Sequence, residues 1–144
     1  MIKKISLILL LMAFLTMPTY AWFFKKKQKP VLIFSPTDPR IEASKDEPIV
    51  NHDVFRVGDR IYFLIYTPEG FKSNYIKYQV IKQDDKAHIG GYSRIRNVDC
   101  KVKDKNYYVD YIVLSEAGKY ALQIFDIENV HHWIAFGHFL VVNE

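Results

Sequence analysis

From residue 31 onward, apolar positions occur in short runs, and no stretch keeps the three-to-four-residue period of an amphipathic helix. The clearest run, 60–66, ends at the turn residues 67–70, and the next, 74–82, alternates Ile76, Tyr78 and Val80 with polar neighbours. Further runs at 31–34, 92–102, 107–114, 120–125 and 133–142 are separated by Pro, Gly, Asn and Asp. The polar stretch 41–50 predicts a loop or an irregular edge. The pattern therefore predicts an all-β domain.

The most specific motif is the octapeptide 115–122, SEAGKYAL, in which a tight turn around Gly118 precedes Tyr120. It resembles the tyrosine corner of the immunoglobulin-like superfamily, and the similarity extends over residues 31–144 in strand number and spacing. The resemblance implies an antiparallel β-sandwich of about seven strands, with the Tyr120 hydroxyl bonded back to the turn. Antibody-type domains are excluded, because Leu122 replaces their second disulfide cysteine and no Trp lies in 74–82. An ordinary hairpin whose turn precedes a tyrosine is the alternative.

The N-terminal segment has the three parts of a secretory signal peptide: Lys3 and Lys4, an apolar run at 5–15, and small residues around Ala21. Cleavage after Ala21 predicts residues 1–21 as the signal and a periplasmic or extracellular protein. The rival interpretation is an uncleaved membrane anchor spanning 5–24. The lysines at 25, 26, 27 and 29 argue against that anchor, because they would retain the globular part on the cytoplasmic side.

Charge is unevenly distributed along the 144 residues, which are enough for one domain. Residues 31–144 contain 14 Lys and Arg against 16 Asp and Glu, so the domain has no basic excess to attract nucleic acid. Residues 22–30 form a basic, aromatic tether. Its residues Trp22, Phe23, Phe24, Lys25, Lys26 and Lys27 are typical of a peripheral contact with an anionic membrane surface, with a solvated tether as the alternative.

The last run, 133–142, is apolar on both of the faces that a strand would present. Strict alternation places Trp133 and Phe139 on one face and Phe136 on the other, and Gly137 predicts a β-bulge or a close backbone approach. A strand with two apolar faces must be covered, either by burial within the sandwich itself or by a partner at this edge. We therefore expect partner binding at Trp133 and Phe139, together with Tyr75 and Phe71 from the region 70–78.

Tyrosine supplies a second reason to expect binding, because the chain has 10 Tyr, too many for one core of this size. Eight of them, which cannot all be buried, are Tyr62, Tyr66, Tyr75, Tyr78, Tyr92, Tyr107, Tyr108 and Tyr111. Exposed tyrosines suit protein and sugar partners alike, since each offers a large area and a hydroxyl. Good strand formation by tyrosine is the simpler account of most of them.

Reactive chemistry is sparse, and the sequence predicts no enzyme and no cofactor. Cys100 is the only cysteine, so an intramolecular disulfide is excluded and a strand cysteine is expected. Histidines could form a metal site only if loops bring them together; the candidates are His52, His88, His131 and His132. Acids suited to glycoside chemistry are scattered among turns: Asp84, Asp85, Asp104, Glu116, Asp126 and Glu128.

These observations predict an exported binding module of the cell envelope or the secreted fraction, with another envelope or secreted protein as its partner. Two alternatives stay open: a periplasmic metal-binding protein that uses loop histidines, and a small enzyme acting on envelope polymers.

Overall fold

The structure, a computed structural model, describes residues 27–84, 86, 91–129 and 131–144. The predicted signal peptide 1–21 and the first five tether residues, 22–26, lie outside this part of the chain, as does His88. Residues 27–30 are exposed and belong to no helix or strand. Within the described residues, no helix is long and apolar enough to cross a membrane.

The described chain contains eight strands and one short helix. In order they are β1 (Val31–Ser35), α1 (Pro39–Ser44), β2 (Val54–Arg56), β3 (Arg60–Tyr66), β4 (Tyr75–Gln83), β5 (Tyr92–Lys101), β6 (Tyr107–Val113), β7 (Gly118–Asp126) and β8 (Trp133–Val142). The strands correspond closely to the apolar runs of the sequence. The additional strand, β2, comes from three residues that the sequence pattern did not separate from a loop.

The strands form two sheets, in the orders β1-β3-β6 and β2-β8-β7-β4-β5. All neighbours are antiparallel except β2 and β8, which pair in parallel over three residues each. Alternation along the strands sends one set of side chains into the space between the sheets. In β3, for example, Ile61, Phe63 and Ile65 are fully buried, whereas Arg60 and Tyr66 are exposed.

The core is aromatic and joins the two sheets directly. Phe63 of β3 meets Tyr78 of β4 edge-on, with ring centroids 4.9 Å apart. Phe34 of β1 contacts Phe139 of β8 with centroids 5.0 Å apart. Such pairs add about 0.5–1.5 kcal/mol beyond their buried area, so packing alone can hold a fold that has no disulfide.

The sequence predicts a loop or an irregular edge over residues 41–50. In the structure, the helix α1 covers the first four of these residues. The Asp38 side chain accepts a hydrogen bond from the Arg40 backbone N–H at 3.0 Å, and Pro39 occupies the first turn. Aspartate at the N-cap followed by proline is a helix-start signal. The hydrophobic pattern did not predict this helix, because it is only six residues long and shows no hydrophobic period.

A bulge in β8 changes the face assignment that strict alternation predicts. Ile124 pairs with Ala135 and Phe125 with Trp133, so Ile134 is the extra residue of the bulge. The sequence predicts either a β-bulge or a close backbone approach at Gly137. Gly137 pairs regularly with Leu122, so it is not part of the bulge. The other option, a close approach, is what the structure shows, because a Cβ on Gly137 would lie 2.7 Å from Phe34 Cε2.

Candidate functional site

The turn before β7 has the geometry expected of a tyrosine corner. The Tyr120 hydroxyl donates to the Glu116 carbonyl oxygen at 2.8 Å, and its ring stacks on Phe139 with centroids 5.7 Å apart. Burial raises the pKa of Tyr120, so the hydroxyl keeps the proton that it donates. Lys82 Nζ contacts Glu116 Oε2 at 2.6 Å, and the Lys82 stem covers Gly118. These contacts give Tyr120 and Gly118 a structural role.

The outer face of the five-stranded sheet carries an exposed aromatic cluster, which we call the β8 cluster: Phe125, Trp133, Phe136, His138 and Leu140. Trp133 is 53% exposed and Phe136 is 40% exposed. Their rings stack with centroids 5.6 Å apart, and Phe125 meets Trp133 edge-on at the same distance. His138 lies edge-on to Phe136 at 4.5 Å. The cluster is therefore a continuous aromatic surface.

The bulge at Ile134 creates this cluster. Without the extra residue, Trp133 would share the inward parity of Ala135, Phe139 and Val141. With the extra residue, Trp133 is opposite Phe125 on the outer face and beside Phe136. Large apolar side chains gathered on one exposed face are a mark of interaction sites.

The strand that carries the cluster is also only partly paired. On the side away from β7, β2 covers residues 140–142 alone, where Leu140 N–H donates to the Asp53 carbonyl at 2.7 Å. Among the described residues, no strand pairs with 133–139 on that side. Backbone groups alternate in direction along a strand, so those of Phe136 and His138 point the same way as those of Leu140. They face the open edge.

Polar side chains border the cluster on the same sheet face. Gln123 of β7 is opposite Phe136 and next to Gln79 of β4. In the next row, Lys77 Nζ lies 3.4 Å from Asp99 Oδ1. An apolar centre with a polar border is the usual arrangement of a protein interface.

The four residues predicted to bind a partner lie in different parts of the domain. Trp133 is in the β8 cluster, and Tyr75 is 47% exposed at the start of β4. Phe71 is half-buried in the β3–β4 loop and packs against the core. Phe139 is only 4% exposed, so its assignment to a partner-binding face is corrected: it is a core residue. Phe136 was missed, because only the bulge makes it a neighbour of Trp133.

A half-buried polar group lies between β4, β5 and β6. Asp110 Oδ2 accepts from the Tyr78 hydroxyl at 3.0 Å and from the Tyr108 hydroxyl at 3.3 Å. Burial, and after it the bond to Asp110, holds the pKa of Tyr78 well above its usual range; burial and then the contact with Cys100 do the same for Tyr108. Burial also raises the pKa of the Cys100 thiol. A thiol that stays protonated is a poor nucleophile, which fits a structural cysteine.

The described histidines of the metal alternative, His52, His131 and His132, are not gathered in one place. His131 and His132 are exposed between β7 and β8, whereas His52 lies between β1 and β2, where its N–H donates to the Phe34 carbonyl at 2.8 Å. Within the described chain, no group of three or more His, Cys, Asp or Glu side chains is placed to hold a metal ion.

Three described acids of the enzyme alternative make structural bonds, and Asp84 and Glu116 lie at the end of the sandwich opposite Asp126. Asp126 is buried and accepts from the Ser73 hydroxyl, and Glu116 pairs with Lys82. Asp84 accepts from the Lys86 N–H at 2.9 Å and from the Ser93 hydroxyl at 3.0 Å. Asp85 lies outside the described residues.

Comparison with known proteins gives similarity of fold alone. No family model and no curated protein matches the chain. Among solved structures, the soluble domain of PmoD from Methylocystis is 11% identical, with 78% of this chain and 90% of that chain covered and a TM-score of 0.50. An immunoglobulin-like protein from Pseudomonas aeruginosa is 11% identical, with 81% and 98% covered and a TM-score of 0.45. A superoxide reductase (neelaredoxin) from Ignicoccus hospitalis is 7% identical, with 80% and 81% covered and a TM-score of 0.44.

The chain therefore has an immunoglobulin-like β-sandwich fold, and no narrower family is defined. This class carries many unrelated functions, so function has to be argued from the surfaces of this chain.

Proposed function

We propose that this protein is an exported, non-enzymatic binding module of the cell envelope or the secreted fraction, which binds a protein partner along the unpaired half of β8. One observation carries the proposal: the exposed rings of Trp133 and Phe136 lie on residues 133–139 of β8, with which no described strand pairs on the side away from β7. The export component rests on the signal-peptide pattern of residues 1–21.

The two features of β8 act together in partner recognition. An extended segment that adds to a sheet edge gains main-chain hydrogen bonds, and these give affinity with little sequence selectivity. Large aromatic anchors beside the edge supply the selectivity, because a few such residues dominate the binding energy of most interfaces. Here Phe136 and His138 provide both the free backbone groups and the neighbouring side chains.

The hydrogen bonds and the ion pair of the candidate acids support a binding role without catalysis. Glycosidase chemistry needs two carboxylates facing one another across a cleft. Glu116, Asp126 and Asp84 are instead tied to Lys82, Ser73 and Ser93 in turns at the two ends of the sandwich.

The test is capture of cross-linked partners from the native envelope and secreted fractions, followed by affinity measurement with the protein identified. The double variant Trp133→Ser, Phe136→Ser should lose the partner, with at least about a tenfold fall in affinity. The matched control is Tyr111→Ser, Val113→Ser, which removes two exposed apolar residues from β6 and should bind normally.

A second pair of variants tests strand addition itself. His138→Pro removes a backbone donor that points to the open edge, which an edge strand tolerates. It should weaken binding well beyond His138→Ala, which keeps that donor. Equal binding by these two variants would show that the partner uses the aromatic cluster alone, and unchanged binding by all of them would refute the proposal.

A further inference from the structure

The N-terminal segment joins the domain at one end of the sandwich, which three loops complete. Residues 27–30 border a cavity of about 230 Å³ together with the β3–β4 loop, His132 and Ile134. The β3–β4 and β5–β6 loops are tied to each other, because Thr67 N–H donates to the Asn106 carbonyl at 2.7 Å and Phe71 N–H to the Lys105 carbonyl at 3.3 Å. We call residues 27–30, 67–74, 101–106, 127–129, His131 and His132 the entry end.

The entry end is basic, although the domain as a whole is not. Its charged side chains are exposed and number six lysines against three acids: Lys27, Lys29, Lys72, Lys101, Lys103 and Lys105, against Glu69, Asp104 and Glu128. In the part of the chain that the structure describes, none of these lysines takes part in an ion pair. Residues 31–144 together carry 14 basic and 16 acidic side chains, so positive charge is concentrated at this end.

Exposed tyrosines surround the same end on both sheets. Tyr66 and Tyr107 are paired neighbours through β3 and β6, and they are 39% and 48% exposed. Tyr75 begins β4 on the other sheet and is 47% exposed. Tyrosine combines an apolar ring with a polar hydroxyl, which is the chemistry favoured at the boundary between membrane and water.

We propose that the entry end docks on an anionic bilayer surface, with its lysines against the headgroups and its tyrosines at the boundary. Charge complementarity supports the bilayer, since each lysine near an anionic leaflet contributes favourably to attachment. The chain entering at Lys27 supports it as well, because the residues directly before Lys27 in the sequence are the aromatic Trp22-Phe23-Phe24 and the basic Lys25-Lys26. This surface does not depend on the β8 partner, and the two proposals can fail separately.

Trp133 provides a direct reporter, because it begins β8 beside the entry end and the chain has only two tryptophans. The exported protein carrying Trp22→Phe, in its native N-terminal form, is mixed with phosphatidylcholine vesicles with or without 30% phosphatidylglycerol. Lipids brominated near the headgroup then report contact by quenching Trp133 fluorescence.

The decisive variant is Lys72→Glu, Lys103→Glu, Lys105→Glu. We expect quenching of Trp133 with anionic vesicles only, and a fall of at least about tenfold in apparent vesicle affinity, or loss of the quenching, in the variant. The matched control is Lys86→Glu, Arg94→Glu, Lys119→Glu, three exposed bases away from the entry end, which should behave as the parent protein.

Three outcomes would overturn the proposal: equal quenching by neutral and anionic vesicles, no quenching by either, or the same loss in both charge variants. Binding of the parent protein to soluble polyglutamate without binding to anionic vesicles would also overturn it, and would assign the surface to an acidic protein.

Discussion

Tyr120 shows how a single side chain can connect a loop to the core. Its hydroxyl is bonded to the Glu116 carbonyl at 2.8 Å, while its ring is 3% exposed and stacks on Phe139. The hydroxyl fixes the turn relative to β7, and the ring fixes β7 relative to β8. The position of this residue could be predicted from the sequence because turn and tyrosine are adjacent in the chain.

Tyr120→Phe tests the hydroxyl alone, since the ring remains. We expect the free energy of unfolding to fall by about 1–3 kcal/mol, because the carbonyl acceptor loses its partner. Urea titration measures this change. Tyr111→Phe, on an exposed residue, is the control and should change stability by less than about 0.5 kcal/mol. Equal stability of the two variants would contradict a structural role for the hydroxyl.

At the scale of elements, the sequence predicted where strands begin and end better than it predicted which face of the sheet each side chain occupies. The apolar runs gave the limits of β3 and β8, since turn residues follow the first run and precede the second. It failed at Trp133 because a one-residue bulge reverses parity, and the position of a bulge depends on the partner strand. The helix α1 was missed for a related reason: six residues are too few to show a period, and only its cap at Asp38 marks it.

The corrected faces of β8 lead to opposite expectations for two phenylalanines. Phe139→Ala should lower the free energy of unfolding by about 3–5 kcal/mol, because its ring is 4% exposed and touches Phe34, Phe55 and Tyr120. Phe136→Ala, on a ring 40% exposed, should cost less than about 1 kcal/mol. Urea titration of both variants measures the difference. If Phe136→Ala were the more damaging, the register of β8 would have to be revised.

The Tyr78–Tyr108–Asp110 group links the two sheets through polar atoms, because Tyr78 lies in β4 and the other two in β6. The sequence did not predict this group, since the three residues become neighbours only when the sheets pack. Its tyrosines hold their protons more tightly in the folded chain than in the unfolded one. The free energy of folding must therefore depend on pH in the alkaline range.

The sign follows from the raised pKa of Tyr78 and Tyr108, whose ordinary value is 10.0. Below about pH 10 both tyrosines are protonated in the folded and in the unfolded chain, and their contribution to the free energy of folding is fully present. Above it the unfolded chain loses protons first, so stability should fall by up to about 1.4 kcal/mol per pH unit for each tyrosine. Urea titrations from pH 8 to 11.5 measure the slope. Tyr78→Phe should reduce it, and Tyr75→Phe, on an exposed residue, should leave it unchanged.

At the scale of the molecule, two surfaces on one small sandwich have different chemistry. The β8 cluster is aromatic with a free strand edge, whereas the entry end is rich in lysine and surrounded by tyrosine. A module that used both could hold a protein partner beside a membrane. The sequence predicted the sandwich from strand spacing, but it did not predict the entry end, because the lysines there come from three segments that only the topology brings together.

An envelope or secreted partner can be reached only by an exported protein, so export is a condition of the proposed function. We expect a mature form that begins at Trp22 and is found outside the cytoplasm, because Thr19 and Ala21 are small enough for a signal peptidase. Mass spectrometry of the N-terminal peptide in each cell fraction measures this. Ala21→Arg should block cleavage and leave a full-length form in the membrane fraction, whereas Tyr20→Phe should be cleaved normally. Full-length parent protein in the membrane would favour the 5–24 anchor, and full-length protein in the soluble cytoplasmic fraction would refute export.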